Sequence, residues 1–205
     1  MPNSLFDKGN YIIEDSLFLE SGYKALKEIG LVQEVFAKND TDTIINEIRD
    51  TIVSSALGFT QTNIDKHGFD AKNKCDEYIE IKATNSLQKP SGTFNDTNKE
   101  KCMAFMSNKV WLALAVWHNA ADLVCIAYGN NPKIGEFLLK RMQDRPSGSR
   151  STQTISFKNL VIKFSFSIGC FRNKYALTKS LLTKWDMQNC INDIKVLKKP
   201  FSFIE

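Results

Sequence analysis

Glu80 and Lys82 stand two residues apart in Tyr78-Ile79-Glu80-Ile81-Lys82-Ala83-Thr84, and Asp70 precedes Glu80 by ten residues in Gly68-Phe69-Asp70-Ala71. Alternation puts Tyr78, Glu80, Lys82 and Thr84 on one face of a strand, with Ile79, Ile81 and Ala83 on the other. A turn in the polar stretch between them brings Asp70 back beside Glu80. Two carboxylates so placed suit a hard divalent cation, which accepts oxygen ligands and keeps several waters. Such a cation polarises a phosphate oxygen and lowers the pKa of a bound water. A lysine alongside orients that water or offsets charge developing on phosphorus. The expected chemistry is phosphodiester hydrolysis, with the Ile81 carbonyl as an additional candidate ligand. Asp76 and Glu77 are rivals for the first acid, but they sit too close to the strand to fold back easily. An isolated Glu-x-Lys also describes a solvated surface strand.

These residues need a scaffold. Ile44, Ile45, Ile48, Ile52, Val53 and Ala56 form an apolar stripe, with Asp40 or Asp42 as cap and Gly58 as the end of a helix. Glu47, between Ile44 and Ile48, is a candidate fourth acid, or else an exposed helix residue. Residues 16–38 carry irregular near-helical spacing. Residues 61–76 read as turns and 85–98 as a loop. A short helix is expected near 99–107, then strands over Lys109–Trp117 and Leu123–Tyr128 with a turn between them. Asn130-Asn131-Pro132 starts another helix. Thr154–Phe166 has strand-like content, and Leu177–Leu197 is weakly helical. The expected fold class is α/β (α+β), a mixed central β-sheet flanked by helices.

The 205 residues are 42% hydrophobic and 24% charged, which fits one globular domain and excludes a disordered chain. No apolar run approaches the ~18 residues of a membrane span, and the N-terminus has no secretory pattern. Five scattered cysteines without a Cys-x-x-Cys pair, and two histidines, argue against a disulfide framework or structural zinc. Reduced thiols and a cytoplasmic location are expected. Residues 131–205 hold 14 Lys or Arg against 5 Asp or Glu, whereas residues 1–130 hold 13 against 18. An acidic half able to hold a cation, followed by a basic half, suits an enzyme acting on a polyanion. The same basic residues would also keep that half soluble.

Asp70, then Glu80-Ile81-Lys82 on an apolar-flanked strand, preceded by an acidic helix, resembles the PD-(D/E)XK nucleases, and type II restriction endonucleases in particular. The matching span is about residues 44–84, and Phe69 stands where the motif's name has Pro. The resemblance implies a restriction-endonuclease-like core in which Asp70 and Glu80 bind Mg2+ and Lys82 assists the nucleophile. It implies a single nuclease domain over 1–205, with N-terminal helices, a catalytic core at about 42–130 and a basic DNA-binding part at about 131–205. It further implies a sequence-specific cutter of double-stranded DNA, a homodimer matching a palindromic site, and a cognate DNA methyltransferase in the same cell. The alternatives are a repair or junction-resolving nuclease on the same core, or a DNA-binding protein that does not cut.

Two loops suit DNA. The loop from Asn85 to Asn98 leaves the catalytic strand directly, and Asn85, Ser86 and Lys89 are its candidate contacts. In the second, Arg150 and Gln153 are candidate base readers, with Arg145 and Thr152 on the backbone. His67 could assist near Asp70 or simply be exposed. His118 has no expected role, Trp111 and Trp117 are expected in the core, and Arg172, Lys174, Lys179 and Lys184 extend a phosphate track or form a solvated face.

Overall fold

The computed structural model describes residues 24–25, 27–32, 41–61, 69–95, 97–144 and 152–201. The chain divides into two compact units, Met1–Glu47 and Ile48–Glu205. In the first, residues 24–25 and 27–32 are helical, as are residues 41–47, which begin helix α1 (Thr41–Ala56).

The second unit is a mixed α/β structure around a seven-stranded sheet. Its strands are β1 (Thr60–Gln61), β2 (Ala71–Lys72), β3 (Tyr78–Thr84), β5 (Val110–Trp117), β6 (Leu123–Gly129), β8 (Ser167–Cys170) and β9 (Ile194–Val196), in that spatial order. Strands β3–β5 and β8–β9 pair in parallel, and the other neighbours pair antiparallel. A two-stranded antiparallel sheet joins β4 (Ser91–Phe94) to β7 (Gln153–Ser156). Helices α2 (Lys99–Met106), α3 (Lys133–Gln143), α4 (Phe157–Phe164) and α5 (Tyr175–Lys184) complete the regular elements used below. Among the described residues no helix is long and apolar enough to cross a membrane.

Alternation along β5 divides the core. Leu112, Leu114 and Val116 face a large cluster with Phe105 of α2, Leu138 of α3, Leu160 of α4 and Leu182 of α5. Ala113, Ala115 and Trp117 face a smaller one with Ile79, Ile81 and Val53 of α1. Small residues on that second face leave room for α1. Trp117 is fully buried, and Trp111, near the other end of β5, is partly buried against the smaller cluster. All five cysteines are free, four of them buried.

Strand β3 covers the expected residues 78–84, and β5 and β6 follow their apolar runs closely. Other elements differ from the sequence reading. Thr154–Phe166 is strand only at its start. Ser156 caps α4 by accepting the Asn159 N–H at 3.2 Å, and Phe157, Leu160 and Phe164 are buried at helical spacing. The loop expected over 85–98 contains β4, because β7 supplies its ladder from far along the chain. The turn-rich stretch 61–76 contains β2, and the weakly helical tail resolves into α5, a 3-10 segment (Gln188–Asp193) and β9. In α1 the expected apolar stripe is displaced: Ile48 is 51% exposed, whereas Arg49 is buried. Asp40 and residues 16–23 lie outside the described residues.

Helices α2 and α3 cross closely at Gly135, where a Cβ would run into the Cys102 carbonyl oxygen and lie 2.7 Å from Met106 Cγ. Glycine permits this close approach of the helix that carries Lys101.

Candidate active site

Local turn chemistry positions the two acids. Asn73 Oδ1 accepts the backbone N–H groups of Cys75 and Glu77 at 2.9 and 3.0 Å, and Asp76 takes a left-handed φ of 59°. This tight turn reverses the chain and pairs Ala71 with Ile79 and Lys72 with Tyr78. One step further, Asp70 lies opposite Glu80: its N–H donates to the Ile79 carbonyl at 2.9 Å, and its Oδ2 accepts the Ile81 N–H at 2.6 Å. The rival acids belong to the turn. Asp76 pairs with Lys72 at 2.6 Å and is well exposed, and Glu77 Oε2 accepts from Asn73 Nδ2 at 2.6 Å. Backbone groups of odd-numbered residues in β3 point toward β2, so the Ile81 carbonyl leaves the strand on the Asp70 side.

Glu80 is 3% exposed, a burial that an ionised carboxylate tolerates only with partners. It has two. Lys82 Nζ lies 2.7 Å and Lys101 Nζ 2.6 Å from the same oxygen, Oε1. Lys82 projects from the Glu80 face of β3 and lies 5.6 Å from the Phe94 ring centre of β4. Gly92 lets β4 come this close, since a Cβ there would lie 2.9 Å from Lys82 Cβ. Lys101 stands in the first turn of α2, where Asn98 caps the helix by accepting the Lys101 N–H at 2.8 Å.

Asp50, on α1, is a third acid in this charge cluster. Burial, reinforced by Asp70 and Glu80 and opposed by Lys82 and Arg49, pushes its carboxyl up to about 7. Burial and the neighbouring Glu80 likewise lift Asp70 to about 6, against the Ile81 hydrogen bond and the two lysines. Burial would lower the Lys82 ammonium, but Glu80, Asp70 and Asp50 together raise it. The sequence reading placed its fourth acid at Glu47. Glu47 belongs to the first unit, and the structure gives it no placement against Asp70 or Glu80. Asp50 and Lys101 were both missed. The available signal for Asp50 was its position one helical turn beyond Glu47.

The expected DNA contacts divide. Asn85 Oδ1 accepts from Arg49 Nη2 at 3.2 Å, and Ser86 Oγ accepts the Lys89 N–H at 3.3 Å, so both side chains shape the loop after β3. Ser86 and Lys89 are exposed. Gln153 is a correction to the expected base readers. It is 3% exposed, pairs with Phe94 across the small sheet, and donates from Nε2 to the Leu138 carbonyl at 3.0 Å, which commits its amide to the core. Thr152 is exposed and lines a surface cleft of about 390 Å³ with Arg141, Asp144, Gln153 and Thr154, none of them shared with the acidic cluster. Arg145, Arg150 and His67 lie outside the described residues. Lys174 pairs with Asp122 at 2.5 Å, and His118 lies 3.6 Å from the same carboxylate, at the turn between β5 and β6.

Among the described residues no three His, Cys, Asp or Glu side chains converge as a preformed metal cage. The donors present nevertheless suit an open magnesium site, which takes one or two carboxylates and completes its shell with water and phosphate. Crowded acids with raised pKa values are also the electrostatic signature of a place that favours added positive charge. No protein-family model and no curated protein matches this sequence.

Proposed function

We propose that this protein is a magnesium-dependent endonuclease that hydrolyses phosphodiester bonds in double-stranded DNA, of the type II restriction kind within the PD-(D/E)XK nucleases. The observation that carries the reading is the β2–β3 hairpin, which sets Asp70 opposite Glu80 with Lys82 bonded to Glu80. Asp70, Glu80 and the Ile81 carbonyl would hold Mg2+, and the charge of Asp50 would add to the field that attracts it. The bound ion would supply a polarised phosphate and a water of lowered pKa. Lys82 keeps its proton through its carboxylate neighbours and holds positive charge where negative charge develops on phosphorus. The basic C-terminal half attracts the DNA backbone. Cutting both strands of a symmetric site calls for a homodimer acting in the cytoplasm, beside a methyltransferase that protects the host's own sites.

Incubating plasmid DNA with the protein and Mg2+, alongside Asp70→Ala, tests this reading. Discrete fragments from the wild type alone support site-specific cutting, and uncut DNA from an active-site-intact, folded protein overturns the nuclease reading. One observation favours a second reading, a repair or junction-resolving nuclease on the same core. Gln153 is buried, which removes one of the two expected base readers. A smear, or preference for branched over linear duplex, would support that alternative.

A further inference from the structure

The two ammonium groups on Glu80 Oε1 are not equivalent. Lys82 is fixed by its strand and confined between Glu80, the Phe94 ring and the backbone at Gly92. Lys101 reaches the same oxygen from a separate helix. The two side chains are about equally exposed, 22% and 25%, so what separates them is the element that carries each and the packing around Lys82. Its charge also acts on Asp70, the other acid of the pair. Lys82 does the same from within the strand, so Lys101 is the cation from outside the hairpin that serves both carboxylates, the task a divalent ion would perform.

We infer that Lys101 is a resident counter-ion of the acid pair, holding Glu80 while metal is absent and giving way when a divalent cation binds. This rests on the metal-dependent reading above and adds a control to it. Metal binding then has to overcome the Lys101–Glu80 contact, so Lys101 weakens apparent metal affinity while protecting the empty site from charge repulsion. Removing the ammonium leaves the buried Glu80 with Lys82 alone. The metal-free protein loses stability, and the competition with metal disappears.

The test uses the full chain without DNA. Wild type, Lys101→Met and Lys101→Arg are titrated with Mn2+ at pH 8 by calorimetry, and melting is followed with and without the ion. Lys101→Met keeps the apolar stem, and Lys101→Gln serves as a second neutral variant if the first does not fold. The expected result is Mn2+ affinity about tenfold tighter in the neutral variant, with Lys101→Arg close to wild type. Its metal-free Tm should fall below that of wild type, and saturation with Mn2+ should close the gap. Unchanged or weaker affinity in a folded neutral variant that binds Mn2+, or a Tm gap that saturation leaves in place, overturns the inference and leaves the nuclease reading standing. If wild type and variants all fail to bind Mn2+, both fall.

Discussion

The Asp70 carboxylate accepts the Ile81 backbone N–H at 2.6 Å, so the first acid of the site is tied to the strand that carries the second. The bond fixes the Asp70 rotamer and leaves its other oxygen for a cation. The proposed nuclease thus asks a chemical part of an acid that already has a structural one, and substitutions can separate the two.

Asp70→Asn keeps an oxygen acceptor for Ile81 and removes the charge. The expected outcome is a folded protein, at least as stable as wild type at pH 8 without metal, whose cleavage falls on the order of a thousandfold or more. Asp70→Ala should lose cleavage equally but also strand the Ile81 N–H, at about 1–3 kcal/mol. Parallel thermal melts and plasmid assays distinguish the two. Cleavage by Asp70→Asn at near the wild-type rate would remove Asp70 from the chemistry.

Asp50 predicts a pH dependence of stability. Its folded pKa of about 7 lies above the ordinary 3.8, so the folded state binds protons more tightly than the unfolded chain between those values. The stabilisation from that protonation is complete below about pH 4 and is lost as pH rises through 7. Asp70, lifted to about 6, acts in the same direction. Metal-free wild type should therefore melt lower at pH 8 than at pH 5. Asp50→Asn should raise Tm at pH 8 by about 5 °C, on the order of 2 kcal/mol, and flatten the profile. A profile identical to wild type would show that Asp50 is not held in this charge cluster.

Arg49 predicts a stability defect away from the chemistry. Its guanidinium donates to the Ala120 and Asn119 carbonyls, both at 2.8 Å, and to Asn85 Oδ1, and it lies 4.9 Å from the Trp117 ring centre. It thereby joins α1 to the β5–β6 turn and to the loop leaving β3. Arg49→Lys cannot make this fan of bonds, and a loss of about 2–3 kcal/mol in urea unfolding is expected. A loss below about 0.5 kcal/mol would mean that water replaces the contacts.

Gly135→Ala should act on the site from a distance. The added methyl meets the α2 backbone at Cys102 and forces α2 and α3 apart, at about 1–3 kcal/mol. Because α2 also carries Lys101, the variant should change Mn2+ affinity as well as Tm. Calorimetry on the folded variant decides the point, and unchanged affinity would mean that α2 moves as a unit without disturbing Lys101.

What could be read from the sequence was what short-range pattern encodes. Strand β3 announces itself by alternation within seven residues, and the Asn73 turn lies between Asp70 and Glu80 in the chain. Strand β4 does not, because Ser-Gly-Thr-Phe gains its ladder only from β7. In α4, aromatic and β-branched residues favour a strand by composition, and the cap at Ser156 and the buried spacing decide for a helix. Lys101 and Asp50 reach the site through the docking of α2 and α1. No spacing relative to Glu80 reports that docking, and the exposed Ile48 drew attention to the wrong side of α1.

The hairpin gives the site an unequal dependence on the rest of the molecule. Asp70 and Glu80 are joined by local turn geometry and need only a short contiguous stretch of chain, whereas Asp50 and Lys101 arrive on different helices. The full complement of charges therefore depends on the docking of both helices as well as on the hairpin. A change that loosens α1 or α2 would leave the acid pair on its hairpin and take away one of its charged neighbours.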